Sequence, residues 1–269
     1  MSTIGIIITV VVILGLSMTA IAIIKKPSSV YMDFPEEQNL MEGKMVVFVD
    51  DQQESKNADG VRGHLEIQGR AVLGDSGLYE KYVKRVLDVL LSFLGLVVIS
   101  PLLLILITII KLSDRGSVFF IQKRVGKNKQ FFKIHKLRSM KKNAPYDVPT
   151  HMMEDVERYT TKIGQFLRKS SMDELPQFWD VFIGNMSLVG PRPALWNQDL
   201  LVAERDKYGA NDIKPGLTGW AQINGRDSLK ISEKAKLDGE YTKVLKKGGM
   251  RAFFFDIRCL VGTLFTGGF

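Results

Sequence analysis

Cysteine is almost absent from the 269 residues: only Cys259 is present. A single thiol excludes an intramolecular disulfide and any cysteine-based zinc cluster. Histidine is nearly as scarce. His64, His135 and His151 are scattered without HExxH spacing, so a His-rich metal site is not expected. There is no G-x-x-x-x-G-K-S/T phosphate loop, no G-x-G-x-x-G, and no D-x-D pair of the kind many nucleotide-sugar glycosyltransferases use to hold a metal. Internal repeats are absent as well. Acids are outnumbered, 29 against 37 Lys and Arg, which leaves a net charge of +8. That balance points to an anionic partner: nucleic acid, a phosphorylated small molecule or an anionic membrane face.

Two long apolar runs stand out. Residues 4–24, IGIIITVVVILGLSMTAIAII, carry no charge and at about 1.5 Å per residue span about 30 Å, a bilayer core. No basic region precedes the run, as a signal peptide would require, and Lys25 and Lys26 follow it. The charge rule places the N-terminus outside and the rest of the chain in the cytoplasm. Residues 1–26 therefore read as a transmembrane anchor. The second run, 89–110, has Ser100 and Pro101 at its centre. Proline removes a backbone donor and crowds the carbonyl of Val97, and the Ser100 hydroxyl can bond a carbonyl so freed. Lys81, Lys84 and Arg85 precede the run, and Lys111, Arg115, Lys123 and Arg124 follow it. Both ends carry cytoplasmic charge, which fits a bent helix entering and leaving by one face better than a straight span. Between the runs, residues 27–78 read as a polar linker, with MVVFV at 45–49 as a single strand.

Residues 111–142 hold eleven Lys and Arg and one acid, Asp114. SVFFIQKR and QFFKIHKLRSM have strand-like content and are joined by the turn signal GKNK. Basic residues interleaved with phenylalanine occur in nucleic-acid binders. Here the stretch follows a membrane segment, so lipid phosphate or a phosphorylated substrate is the simpler partner and nucleic acid is not expected. Lys136 and Arg138 stand two apart, on one face of a strand, as candidates for phosphate contact.

SMDELPQ at 171–177 sets Asp173 beside Glu174. Ser171 and Glu174 have the S-x-x-E spacing of a capping box, which employs Glu174 but leaves Asp173 without a task. An aspartate in a first helical turn is favoured in its ionised form. As such it is a nucleophile towards phosphorus, and a neighbouring carboxylate can hold Mg2+. Arg168 lies upstream, and GPRP at 190–193 presents Arg192 between two prolines, suited to a bidentate grip on phosphate. KPGLTGWAQINGRD at 214–227 is dense in turn signals and able to approach a ligand closely, with Trp220 expected to pack rather than stack on a base. Asp238 and Tyr241, three apart, share a face if their segment is helical.

These motifs together resemble the bacterial sugar transferases, the monotopic phosphoglycosyl transferases. The resemblance runs from Tyr79 to Asp256 through YVKRVLDV, the Ser100-Pro101 break, IQKRVG, FFKIHKLRSM, IGQFLRKSSMDELPQ, MSLVGPRPAL, IKPGLTGWAQINGRD and FFFDIR. It implies transfer of a sugar-1-phosphate from a UDP-sugar to polyprenyl phosphate with release of UMP and use of Mg2+. It implies the Asp173–Glu174 pair as the catalytic dyad, with Asp173 the nucleophile that forms a covalent phosphosugar, and Glu174, with Asp173, as the residues that bind Mg2+. Lys136, Arg138, Arg168, Arg192, Arg226 and Asp238 are implied in handling substrate and charge. The kinked helix becomes a re-entrant membrane hairpin. Against the family pattern, the chain adds an anchor and linker in front, and its end at GTLFTGGF comes earlier than in many relatives.

The expected architecture is α+β and membrane-associated. It comprises an anchor at 1–26, a linker at 27–78 and a sugar transferase domain at 79–269. That domain divides into a re-entrant helix at 86–112 and a cytoplasmic catalytic part at 113–269 with amphipathic helices. The expected location is the bacterial inner membrane, with membrane lipid and downstream glycosyltransferases as further partners. Two rivals are a non-catalytic membrane scaffold, which explains neither the acidic pair nor GPRP, and a glycosyltransferase that releases UDP.

Overall fold

A computed structural model describes residues 44–70, 77–113, 116–145, 148, 153, 155–225 and 228–266. The expected anchor, Arg226 and most of the expected linker's flanks lie outside the described residues.

Inside the stretch expected to be linker, the chain is folded. Strands β1 (Lys44–Asp50) and β2 (Gly63–Arg70) pair antiparallel, with an irregularity between Met45 and Val46. The hairpin is tied to the rest of the protein. Val46 N donates to Asp206 at 2.9 Å, and Asp59 accepts from Leu201 N at 3.1 Å. Val46 is buried in a cluster with Val125, Phe131, Leu201 and Val202. The polar composition of the loop is real. The hairpin holds because a few apolar residues and two carboxylates reach partners far along the chain.

A single π-type turn, Tyr79–Val83, leads into α1 (Lys84–Ser113), which continues unbroken through Pro101. Tyr79–Ser113, 35 residues, is long and apolar enough to cross a membrane. Ser100 Oγ donates to the Val97 carbonyl at 2.8 Å, the carbonyl that Pro101 crowds. The two ends of α1 are anchored in the same body, and its middle is packed on one face, against Phe178 and Phe182, and exposed on the other. Near the start, Lys84 pairs with Asp256 at 2.7 Å, and Asp88 accepts from Ser187 Oγ and Leu188 N. Near the end, Leu106 and Ile110 are buried with Leu137 and Leu167. Between them Leu94, Val98, Leu104 and Ile105 are exposed.

Strands β3 (Phe119–Val125) and β4 (Phe131–Leu137) form the expected antiparallel hairpin, Phe120 opposite Lys136. Its turn, Lys127–Lys129, places Asn128 and Lys129 at positive φ, 55° and 62°. Asparagine tolerates that region; Lys129 is held there by a buried ion pair to Asp206, 3.1 Å. The helices α2 (Val156–Tyr159) and α3 (Lys162–Lys169) follow, the latter capped by Thr161, whose side chain accepts from Gly164 N. A 3-10 turn, Met172–Glu174, then leads to α4 (Gln177–Ile183). Strands β5 (Ser187–Val189) and β6 (Gly216–Thr218) pair in parallel, with α5 (Asp199–Asp206) between them. The short α6 (Trp220–Ile223) precedes α7 (Ile231–Lys247) and α8 (Gly249–Thr266).

The principal core gathers Ile134, Val181, Met186, Leu217, Tyr241 and Cys259 from these elements. Asp256 on α8 is its polar centre. It accepts from Tyr79 and Tyr241 hydroxyls at 2.8 and 2.7 Å, besides Lys84. A buried carboxylate so fully satisfied fixes the start of α1, α7 and α8 against one another. Trp220 packs on Phe255 and under Arg258, as expected for a structural tryptophan.

Candidate active site

The acidic pair sits where the chain reverses. Ser171 adopts a left-handed conformation, φ 55°, and its side chain caps nothing. The capping box suggested by S-x-x-E is therefore not formed. Glu174 N reaches the Ser171 carbonyl instead, at 3.2 Å, and the Glu174 side chain is drawn to cations. The reversal brings Asp173 and Glu174 against the end of β4. A second tie holds that register: Asp180, fully buried on α4, accepts from His135 N at 2.9 Å and meets His135 Nδ1 at 2.7 Å.

Glu174 Oε1 accepts from Lys136 Nζ at 2.8 Å and from Arg192 Nη2 at 2.5 Å; Oε2 receives Arg192 Nη1 at 3.3 Å. Burial alone would raise this carboxyl. The charges of Arg192 and Lys136 outweigh it and hold Glu174 well below the usual carboxylate range. Asp173 is different. Burial pushes its pKa up, Lys136 opposes, Glu174 adds to the rise, and Arg168 opposes in turn. The single 3-10 turn at Asp173 does not outweigh that burial, contrary to the dipole argument made from the sequence.

Both residues line a cavity of about 420 Å³ together with Lys136, Arg138, Arg168 and Arg192. Seven cationic side chains face it against these two carboxylates, so it is built for an anion of more than one charge. Phe120, Met140 and Val148 supply an apolar wall. The sequence reading missed Gln122 and Arg124, which also line the cavity. The signal was available: Phe120, Gln122 and Arg124 alternate along β3 on the face that carries Lys136. Arg124 donates to the Pro193 carbonyl at 3.0 Å and to Gln122 at 2.7 Å. Burial, with Arg192 close by, pushes its guanidinium below the ordinary arginine value.

Asp238 is not brought to the cavity. It is buried on α7 and paired with Arg205, 2.7 Å, whose Nη1 donates to the Arg192 carbonyl at 2.9 Å. The pair thus supports the backbone that presents Arg192. Arg205 had no distinguishing signal on its short helix. A hard divalent cation requires oxygen ligands. Among the described residues the Asp173 carboxylate makes no hydrogen bond to another side chain, and it fits that need. Both oxygens of Glu174 are engaged by Lys136 and Arg192, so a cation on Glu174 would compete with two donors.

A small α+β body thus carries a helix long and apolar enough to cross a membrane, and an acidic pair lies inside a cation-lined cavity whose wall residue Leu137 packs on that helix. The sequence pattern of one family, described as bacterial sugar transferase, matches residues 79–267, and the chain belongs to that family. One relative, the UDP-glucose:undecaprenyl-phosphate glucose-1-phosphate transferase of Escherichia coli, is 38% identical over 200 residues, 70% of this chain and 40% of its own length. The UDP-N-acetylgalactosamine-undecaprenyl-phosphate N-acetylgalactosaminephosphotransferase of Aeromonas hydrophila is 37% identical over 165 residues, 60% of this chain and 38% of its own. The exopolysaccharide production protein ExoY of Sinorhizobium fredii is 36% identical over 175 residues, 60% of this chain and 76% of its own. The chain thus spans about 40% of the length of the E. coli relative.

Proposed function

We propose that the protein transfers a sugar-1-phosphate from a UDP-sugar to polyprenyl phosphate and releases UMP. The observation that carries this reading is the pairing of Asp173, a carboxylate with no side-chain hydrogen bond among the described residues, with Glu174 fixed by Lys136 and Arg192 in a strongly cationic cavity. The names of the two phosphotransferase relatives support the substrates. In the first step an Asp173 oxygen attacks the phosphorus that bears the sugar, and the bond to UMP breaks. In the second, a phosphate oxygen of the polyprenyl acceptor attacks the same phosphorus and frees the aspartate. A donor diphosphate would add negative charge beside Arg124, Arg138 and Arg168, which line the cavity. The charges of Lys136 and Arg168 favour ionised Asp173 against burial and against the negative charge of the donor. Mg2+, held through Asp173, would supply neutralisation of phosphate charge.

The membrane geometry belongs to the same proposal. Both ends of α1 are fastened to one body and one apolar face of its centre is exposed, which suits a helix that dips into the cytoplasmic leaflet and returns. The acceptor would then approach the cavity from the lipid, beside the buried end of α1 at Leu106 and Ile110, while the UDP-sugar arrives from the cytosol. The site would initiate a surface polysaccharide or glycoconjugate. The test is nucleotide release by the detergent-solubilised protein given Mg2+, polyprenyl phosphate and a panel of UDP-sugars. UMP with one sugar, lost in Asp173→Asn, is expected; UDP as the released nucleotide would overturn the reading.

A further inference from the structure

A second cavity, of about 470 Å³, opens where the start of α1 meets the catalytic body. It shares no lining residue with the first. Lys127 in the β3–β4 turn faces one cavity and Phe120 the other; seven residues of strand at ~3.3 Å each set them roughly 20 Å apart.

Five cations line this second cavity: Lys81, Lys84 and Arg85 from the helix start, Lys127 from the turn, and Lys214 just ahead of β6. Of the two acids present, Asp88 is hydrogen-bonded, and Glu80 is hydrogen-bonded through Oε1 only. Asp88 accepts from Ser187 Oγ and Leu188 N, at 3.0 and 2.9 Å, and Glu80 lies 3.3 Å from Lys127 and 3.6 Å from Lys246. Lys84 is committed to Asp256, and Arg85 donates to the Val181 and Phe182 carbonyls at 2.8 Å each. Lys214 is left over. It is half-buried, and its ammonium makes no hydrogen bond among the described residues.

We propose that this cavity binds a phosphate group, with Lys214 as the principal donor and Lys127 beside it. A desolvated ammonium without a hydrogen-bond acceptor is stabilised by an anion that reaches it. The electrostatics agree: burial, and next the Arg85 charge, push Lys214 down to about 8, although Asp88 draws it back. The phosphate has two sources of the same chemistry, an anionic phospholipid headgroup or a soluble phosphate. The lipid source rests on α1 dipping into the membrane, since Lys81, Lys84 and Arg85 stand where the apolar run begins. The phosphate site itself does not depend on that reading.

The experiment titrates the full chain in detergent with phosphatidylglycerol, followed by native mass spectrometry, and separately with inorganic phosphate, followed by calorimetry. Binding is expected in at least one arm. The lipid headgroup is the source if phosphatidylglycerol binds the tighter, and a soluble ligand is the source if phosphate does. In either arm Lys214→Gln is expected to weaken binding at least about tenfold, whereas Lys214→Arg retains it. Lys127→Gln, at a half-exposed turn position, is a second variant should Lys214→Gln unfold. Equal affinity of wild type and both folded glutamine variants, or no saturable binding in either arm, would overturn the proposal. Phosphate that enters the catalytic cavity is the component that Lys214→Gln leaves in place, and failure of the transferase reading would register in nucleotide release and not in the Lys214-dependent component.

Discussion

Glu174→Gln removes the charge that two buried cations share. The Glu174 side chain is 6% exposed, Lys136 16% and Arg192 30%, so solvent screens the cluster only in part. With Glu174 held well below its ordinary value of 4.5 by Arg192 and Lys136 against the pull of burial, the sign of the linkage is fixed. A depressed folded-state pKa contributes stability above the unfolded value, and the contribution is lost as pH falls from about 4.5 towards the folded value. The neutral amide removes the carboxylate that Lys136 and Arg192 share and leaves Lys136 only the neighbouring charge of Asp173, and removal of one partner from a buried pair costs about 3 kcal/mol. For a domain of this size that is a fall in Tm of about 6–12 °C. Thermal unfolding in detergent, followed by near-ultraviolet circular dichroism, reads it directly. Adding Lys136→Met to Glu174→Gln should cost less than the sum of the single changes by about 1 kcal/mol. A Tm within about 2 °C of wild type, or strict additivity, would refute the ion-pair argument.

Three further outcomes are expected. A Cβ on Gly95 would lie 2.8 Å from the Phe178 ring, so Gly95→Val should push α1 off α4 and cost about 1–3 kcal/mol in thermal unfolding. Tyr241→Phe removes the hydroxyl that donates to Asp256 at 2.7 Å and lies 3.1 Å from the Val189 carbonyl, and should lower stability by about 1–3 kcal/mol in the same assay. The hydrogen bond with Asp180 raises the His135 pKa above 6.5, against the effect of burial. Its contribution is thus full below pH 6.5 and lost as pH rises through the folded value. Denaturation midpoints across that range should fall in wild type and stay flat in His135→Asn.

The β3–β4 hairpin was legible because GKNK punctuates two strand-like runs, and the structure places its turn there. Strand β2 was not. GHLEIQGR offers only Leu65 and Ile67 as apolar residues, and the hairpin depends on Val46 and Asp59 finding α5 more than 140 positions away. Local composition contains no trace of such contacts. In the site, Asp173 could be singled out because the capping pattern gave it no work. Lys136 and Arg192 could be singled out too, as phosphate contacts, but not their pairing with Glu174, since they come from distant elements. Asp238 and Tyr241 do share a helix, but spacing alone does not say what that face meets. Here it meets Arg205 and Asp256 in the interior.

The central claim is that Asp173 carries the phosphosugar between donor and acceptor. Intact-protein mass spectrometry, after incubation with the active UDP-sugar and no polyprenyl phosphate, tests it most directly. The account predicts a mass increase of one phosphosugar group, mapped to the peptide containing Asp173, cleared by polyprenyl phosphate and absent from Asp173→Asn. An unmodified chain that still releases UMP when the acceptor is added would contradict it.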